Sequence, residues 1–252
     1  MKNSTTRFSN RVEQYVKYRP SYPKEIIPFL EKNAGLTSSF VIADIGSGTG
    51  ISSKIFLDNG NTVFGVEPNK EMRSKAEELL QHYPSFISVD GTAENTTIEN
   101  ASIDMIVAGQ AFHWFDAERT KAEFRRIART HAYCVLIWNE RLVQSPFEKA
   151  YEQLLLDYAI DYKEVDHRNI NEEKIANFFS LNDFIAQVFP NKQVFDFEGV
   201  KGRLLSSSYV PDEMHPRFSS MIKTLEEIFA VHAVNNAVQF NYETKLYAGK
   251  ML

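Results

Sequence analysis

A single cysteine, Cys134, stands among 252 residues, so no intramolecular disulfide can form and a reducing compartment is expected. No stretch approaches the roughly 18 to 20 consecutive apolar residues of a membrane-spanning helix. The start, Met1-Lys2-Asn3-Ser4-Thr5-Thr6-Arg7, lacks the apolar run of a secretory signal, and the expected location is the cytoplasm. Basic residues are not in excess: 28 Lys and Arg against 33 Asp and Glu leave a net charge of −5. Contacts to a phosphate backbone call for a basic face, so nucleic acid is not the expected partner. The histidines are scattered, with no pair at close metal-ligand spacing, and no metal is expected. Internal repeats and low-complexity segments are missing as well.

What is present is ordinary globular composition, 43% apolar and 24% charged, at a length suited to one large α/β domain with an insertion. Phe40–Ile45, Thr62–Glu67, Phe86–Val89, Ile103–Ala108 and Ala132–Trp138 are short apolar runs rich in β-branched residues, which predicts buried parallel strands. Between them lie stretches with helical periodicity, Ile51–Asn59, Lys70–His82 and Ala117–Thr130, preceded by Lys24–Asn33. Alternation of this kind predicts βαβ units wound right-handedly. Val194–Phe197 and Gln239–Tyr247 alternate like strands that close the sheet, and Arg217–Val234 has a helical pattern. The expected fold is α/β: a Rossmann-like, mostly parallel seven-stranded sheet with helices on both faces, plus a helical insertion. The division expected is a core with an N-terminal lid over 1–143, a helical insertion over 144–190 forming a cap, and completing strands and a helix over 191–252. Lys201–Tyr209 has the polar character of a loop.

The chemistry-bearing motif is Asp44-x-Gly46-x-Gly48-x-Gly50, placed between a predicted strand and a predicted helix. Glycines there permit positive φ and close approach of backbone to a ligand. Ligands of open α/β sheets sit outside the carboxyl ends of the strands. Glu67 ends the next strand, where a carboxylate can accept both hydroxyls of a ribose. The dinucleotide spacing is G-x-G-x-x-G, which brings pyrophosphate to a helix N-terminus. The spacing here is G-x-G-x-G, and the acid two residues ahead of it would repel pyrophosphate but suit a cationic amino-acid moiety. Asp44 has a second reading as a cap for the following helix. An NAD(P)-dependent oxidoreductase is thereby the lesser alternative.

With these residues the chain resembles the class I methyltransferases that depend on S-adenosylmethionine (SAM), in the type 11 subgroup, over about residues 8 to 140. The resemblance implies that Gly46, Ser47, Gly48 and Gly50 wrap the methionine and ribose of SAM and that Glu67 holds the ribose. It places Gly91-Thr92-Ala93-Glu94 where the loop after the third strand meets adenine. Pro68, Met72 and Gln110 complete the cofactor contacts it implies. The methyl group and substrate are expected at Ala108–Phe115, after the fourth strand. Tyr15-x-x-Tyr18-Arg19-Pro20-x-Tyr22-Pro23 and Gly109-Gln110-Ala111-Phe112-His113-Trp114-Phe115 are similar to the trans-aconitate methyltransferase-like proteins. There the N-terminal segment resembles a lid, through which Tyr18 and Arg19 would reach the cofactor or a substrate carboxylate.

His113 is the candidate general base, since imidazole titrates near neutrality; the alternative is a ring that bonds backbone or lines the pocket. Arg19 is read as a carboxylate clamp or a surface ion pair. The expected function is methyl transfer to a small-molecule acceptor, by O-methylation of an organic acid under the lid and the insertion. A SAM-binding domain without transfer is the alternative from another class, and a tRNA or protein acceptor a further one.

Overall fold

The computed structural model describes residues 12–160, 162, 172–179 and 184–251. Its strands are β1 (Val41–Ile45), β2 (Thr62–Val66), β3 (Phe86–Val89), β4 (Ile103–Gly109), β5 (Ala128–Arg141), β6 (Phe184–Phe195) and β7 (Val238–Lys250). Its helices are α1 (Val12–Tyr18), α2 (Ile26–Ala34), α3 (Ile51–Asp58), α4 (Lys70–Leu80), α5 (Ala117–Ile127), α6 (Pro146–Tyr158), α7 (Glu172–Phe178), α8 (Phe197–Leu205) and α9 (Phe218–His232). One seven-stranded sheet runs in the order β3-β2-β1-β4-β5-β7-β6. β1 to β5 pair in parallel, and β7 lies antiparallel between β5 and β6.

Alternation along β1 explains why helices cover both faces. Ala43 and Ile45 enter one apolar cluster with Phe124 and Ile127 of α5. Ile42 enters the other, with Ile26 and Leu30 of α2 and Phe56 and Leu57 of α3. The two-residue period of a strand sends neighbours to opposite faces, so a strand buried on both sides must be apolar at every position. A third cluster forms where α6, α8 and α9 pack on Phe240 and Tyr242 of β7.

The sequence expectations need three corrections. The helix predicted to Thr130 ends at Ile127, and β5 starts at Ala128. Phe184–Phe189, expected within a helical insertion, is the first half of β6, a twelve-residue edge strand. Phe197 opens α8 rather than closing a strand, and α8 extends through Lys201–Leu205, expected to be loop. Within the rest of 144–190, expected as a helical cap, α6 packs in the third cluster, whereas Ile175 and Phe178 of α7 join the first. The expectations at 8–11, 163–171 and 180–183 lie outside the described residues. Among the described residues no helix is long and apolar enough to cross a membrane.

Candidate functional site

The carboxyl ends of β1, β2, β4 and β5 converge on a cavity of about 300 Å³. The turn after β1 forms its floor. Gly46 and Ser47 donate their N–H groups to the carbonyl of Val66 at 2.8 and 3.1 Å, which joins this turn to the end of β2. Gly46 and Gly48 have φ of +70° and +57°. At Gly46 a side chain is excluded twice over, since a Cβ would stand 2.6 Å from that of Ala111. Glu67 completes the unit. One carboxylate oxygen accepts the Gly48 N–H at 2.9 Å, and the other accepts the Asn69 N–H at 2.8 Å. Burial raises the Glu67 pKa, while these two N–H groups and Arg73 pull it back. Asn69 caps α4 by accepting from the Met72 N–H at 2.9 Å, which sets Met72 beside Gly48.

Of the residues singled out from sequence, Arg19, Gly46, Ser47, Gly48, Glu67 and Pro68 line the cavity. So do Met72, Ala93, Glu94 and Gln110. Glu94 also accepts the N–H of Asp116 at 3.0 Å, which ties the loop after β3 to the start of α5. Gln110 has φ +56°, an uncommon conformation for a residue with a side chain and one that clusters at functional sites. Its N–H extends the β4–β5 pairing to Ile137, and its amide donates to the carbonyl of Asn139 at 3.2 Å.

Four candidates lie elsewhere. Asp44 is fully buried beneath the turn, where Ser52 and Ser53 donate their hydroxyls to it at 2.7 and 2.6 Å. It therefore braces the first turn of α3 from below and presents no carboxylate to the cavity. Burial raises its pKa to about 6, against the pull of the two hydroxyls. Gly50 faces Leu80 of α4. Tyr18 packs its ring against Gly202 of α8 and Phe195. His113 sits in a 3₁₀ turn, Phe112–Trp114, with its ring tilted against that of Trp114 at 4.7 Å, and burial lowers its pKa to about 4; Trp114 and Phe115 line the cavity, and His113 does not.

The cavity also holds residues that the motifs did not single out: Asn139 and Arg141 at the end of β5, Arg203 of α8, Tyr242 of β7, and Tyr162. Asn139 donates to the carbonyls of Pro20 and Ser21 at 3.5 and 3.3 Å and accepts from Thr244 at 2.5 Å, anchoring the N-terminal segment across the strand ends. Arg141 pairs with Glu152 of α6 and bonds Tyr162. A polar run after an apolar strand, Asn139-Glu140-Arg141, is the one signal that could have marked two of these. Among the described residues no group of acidic, cysteine or histidine side chains could hold a metal.

A mostly parallel sheet in this order, with a G-x-G-x-G turn bonded to an acid at the end of β2, defines a class I methyltransferase fold. Residues 43–136 match the family model described as a methyltransferase domain. An uncharacterised methyltransferase of Mycobacterium tuberculosis is 33% identical over 134 residues, covering 53% of this chain and 52% of its own length. The chain thus spans about half the length of that relative. An uncharacterised methyltransferase of Schizosaccharomyces pombe is 24% identical and covered to 96% on both sides. A solved structure assigned as a type II methyltransferase from Anaeromyxobacter dehalogenans superposes with a TM-score of 0.68 at 20% identity, covering 93% of this chain and 99% of its own.

Proposed function

We propose that this chain binds SAM in the cavity and transfers its methyl group to a small-molecule acceptor, an organic acid methylated on oxygen. The observation that carries the reading is the hydrogen-bonded unit of Gly48 and Glu67 facing the same cavity as Arg19, Arg141 and Arg203. One side of the cavity suits an adenosine, the other an anion.

The residues present fit the cofactor. Gly46–Gly48 let backbone approach it, and Glu67 keeps lone pairs for ribose hydroxyls beyond the two N–H groups it accepts. Met72 and the buried Ala93 supply apolar surface for adenine. Buried polar atoms of cavity-lining residues, Thr49 Oγ1 and Gln110 Oε1, have no hydrogen-bond partner among the described residues, and a ligand would satisfy them. When bound, SAM supplies a methyl group on a cationic sulfur, open to in-line displacement. The chain supplies orientation and a water-poor enclosure. A carboxylate acceptor is already anionic, so no general base is required, in keeping with the position of His113 outside the cavity lining.

Two measurements test this. Calorimetric titration of the purified protein with S-adenosylhomocysteine asks whether the cofactor binds, and absence of binding sinks the reading. Incubation with methyl-tritiated SAM and a panel of organic acids asks for label in a base-labile ester. Label in amines, or none in any acid, removes the O-methylation part.

A further inference from the structure

Among the described residues, two of the three cavity arginines lack a countercharge. Arg141 has Glu152, and Glu140, which also lines the cavity, pairs with Lys245 at 2.5 Å. Arg203 is 6% exposed, and its hydrogen bonds are long ones to neutral oxygens, Tyr242 at 3.4 Å and Ser207 at 3.3 Å. Arg19 donates from Nη2 to the carbonyl of Ser206 at 3.1 Å, and its buried Nε has no hydrogen-bond partner among the described residues. Among the described residues no carboxylate pairs with either. The two charges also act on each other: after burial, Arg203 is the next cause that lowers the Arg19 pKa. Buried like charges left unpaired are costly, and a fold that keeps them does so where an anion will complete the set.

Their positions matter as much as their charge. Arg19 directly follows α1, and Arg203 belongs to α8. α1 lies on α8 through Gly202, where any Cβ would strike the Tyr18 ring, and Gln193 bonds the Tyr18 carbonyl at 3.2 Å. The other end of α1 reaches α4 through Glu13, paired with Lys75 at 2.9 Å. α4 is the helix that carries Met72 to the cofactor side. Tyr15, within α1, feels both Glu67 and the two arginines.

We propose that Arg19 and Arg203 form a subsite for an oxyanion of the acceptor, carboxylate or phosphate, that is bound but not methylated, and that filling it fixes α1 over the cavity. The inference rests on the reading of this cavity as the site of methyl transfer. An oxyanion held by two guanidinium groups has its lone pairs engaged and its charge neutralised, so it is a poor nucleophile. The reacting oxygen is therefore a different group of the same molecule. Because α1 bridges α8 and α4, anion binding and cofactor binding reinforce each other, as linkage requires.

The test starts with the native protein and S-adenosylhomocysteine alone; failure to bind it would sink the proposed function and is read separately. The loaded protein is then titrated with succinate and, in a parallel arm, with inorganic phosphate, at constant ionic strength. One of the two is expected to bind saturably and to tighten S-adenosylhomocysteine several-fold, and which one does so separates carboxylate from phosphate. Arg203→Met is expected to weaken that anion by about tenfold or more, to abolish the tightening, and to leave S-adenosylhomocysteine alone little changed. Arg19→Met should likewise weaken the anion and abolish the tightening, and covers the case in which the buried Arg203→Met variant does not fold. Intact S-adenosylhomocysteine binding with neither anion bound overturns the subsite. So does an anion that binds both variants as well as the native protein, or one that binds without any effect on S-adenosylhomocysteine.

Discussion

The carboxylate of Glu67 accepts the backbone N–H of Gly48 at 2.9 Å, which locks the end of β2 to the glycine turn after β1. The same side chain therefore shapes the turn and faces the cavity. Glu67→Gln puts an NH₂ group against one of the two N–H donors and removes the charge offered to ribose. A hydrogen bond to a charged group contributes about 1.5 to 3 kcal/mol. S-adenosylhomocysteine affinity should fall by about tenfold or more, read by calorimetry. An unchanged affinity would take Glu67 out of the cofactor site.

Gly46 and Gly48 share positive φ but differ in surroundings. A Cβ at Gly46 meets that of Ala111 at 2.6 Å and the Phe115 ring at 3.5 Å, whereas one at Gly48 meets only the Met72 methyl, at 3.4 Å. The left-handed conformation costs a residue with a side chain about 1 to 2 kcal/mol, and overpacking adds about 1 to 3. Thermal unfolding should show Gly46→Ala to be the more destabilised. Gly48→Ala should fold and lose mainly cofactor affinity. Equal unfolding temperatures for the two would contradict the packing described.

The glycine turn and the first five strands were legible because a parallel strand covered on both faces must be apolar throughout, and the pattern breaks sharply at Gly46. β6 was not legible beyond its end. As an edge strand it is largely exposed, with Ile185, Val188 and Val194 at the surface and Pro190 in its middle, so neither a continuous apolar run nor a clear alternation appears. α8 was hidden for another reason. Gly199 and Gly202 weaken its helical signal, yet they are what let it approach Phe195 and Tyr18 and carry Arg203 to the cavity. Asp44 was legible as a motif residue with two readings, and its bonds from Ser52 and Ser53 at the start of α3 are akin to the helix-capping one.

His113 is the histidine nearest in sequence to the expected methyl position, but it lies outside the cavity lining, and burial lowers its pKa to about 4. Loss of a working general base costs about 100-fold or more in rate. His113→Ala should fall far short of that in methyl transfer to the acid identified by the labelling panel. A loss of that size in kcat, with S-adenosylhomocysteine affinity intact, would return His113 to the mechanism.

Asp44 makes a prediction in pH. Its pKa is raised from 3.8 to about 6, first by burial, with Ser53 and Ser52 opposing. A carboxyl group whose pKa is raised on folding binds its proton more tightly in the native state. Its contribution to stability is complete below about pH 4 and is lost as pH rises through about 6. About two pKa units correspond to about 3 kcal/mol. Asp44→Asn keeps the shape and an oxygen for the serine hydroxyls but does not titrate. Other groups shift with pH in both proteins, so the quantity to measure is the difference in urea unfolding free energy between variant and parent. That difference should move toward the variant by about 3 kcal/mol between pH 4 and 7. A flat difference would mean that Asp44 is ionised beneath the turn at all these pH values, and that the two serine hydroxyls suffice to hold the charge.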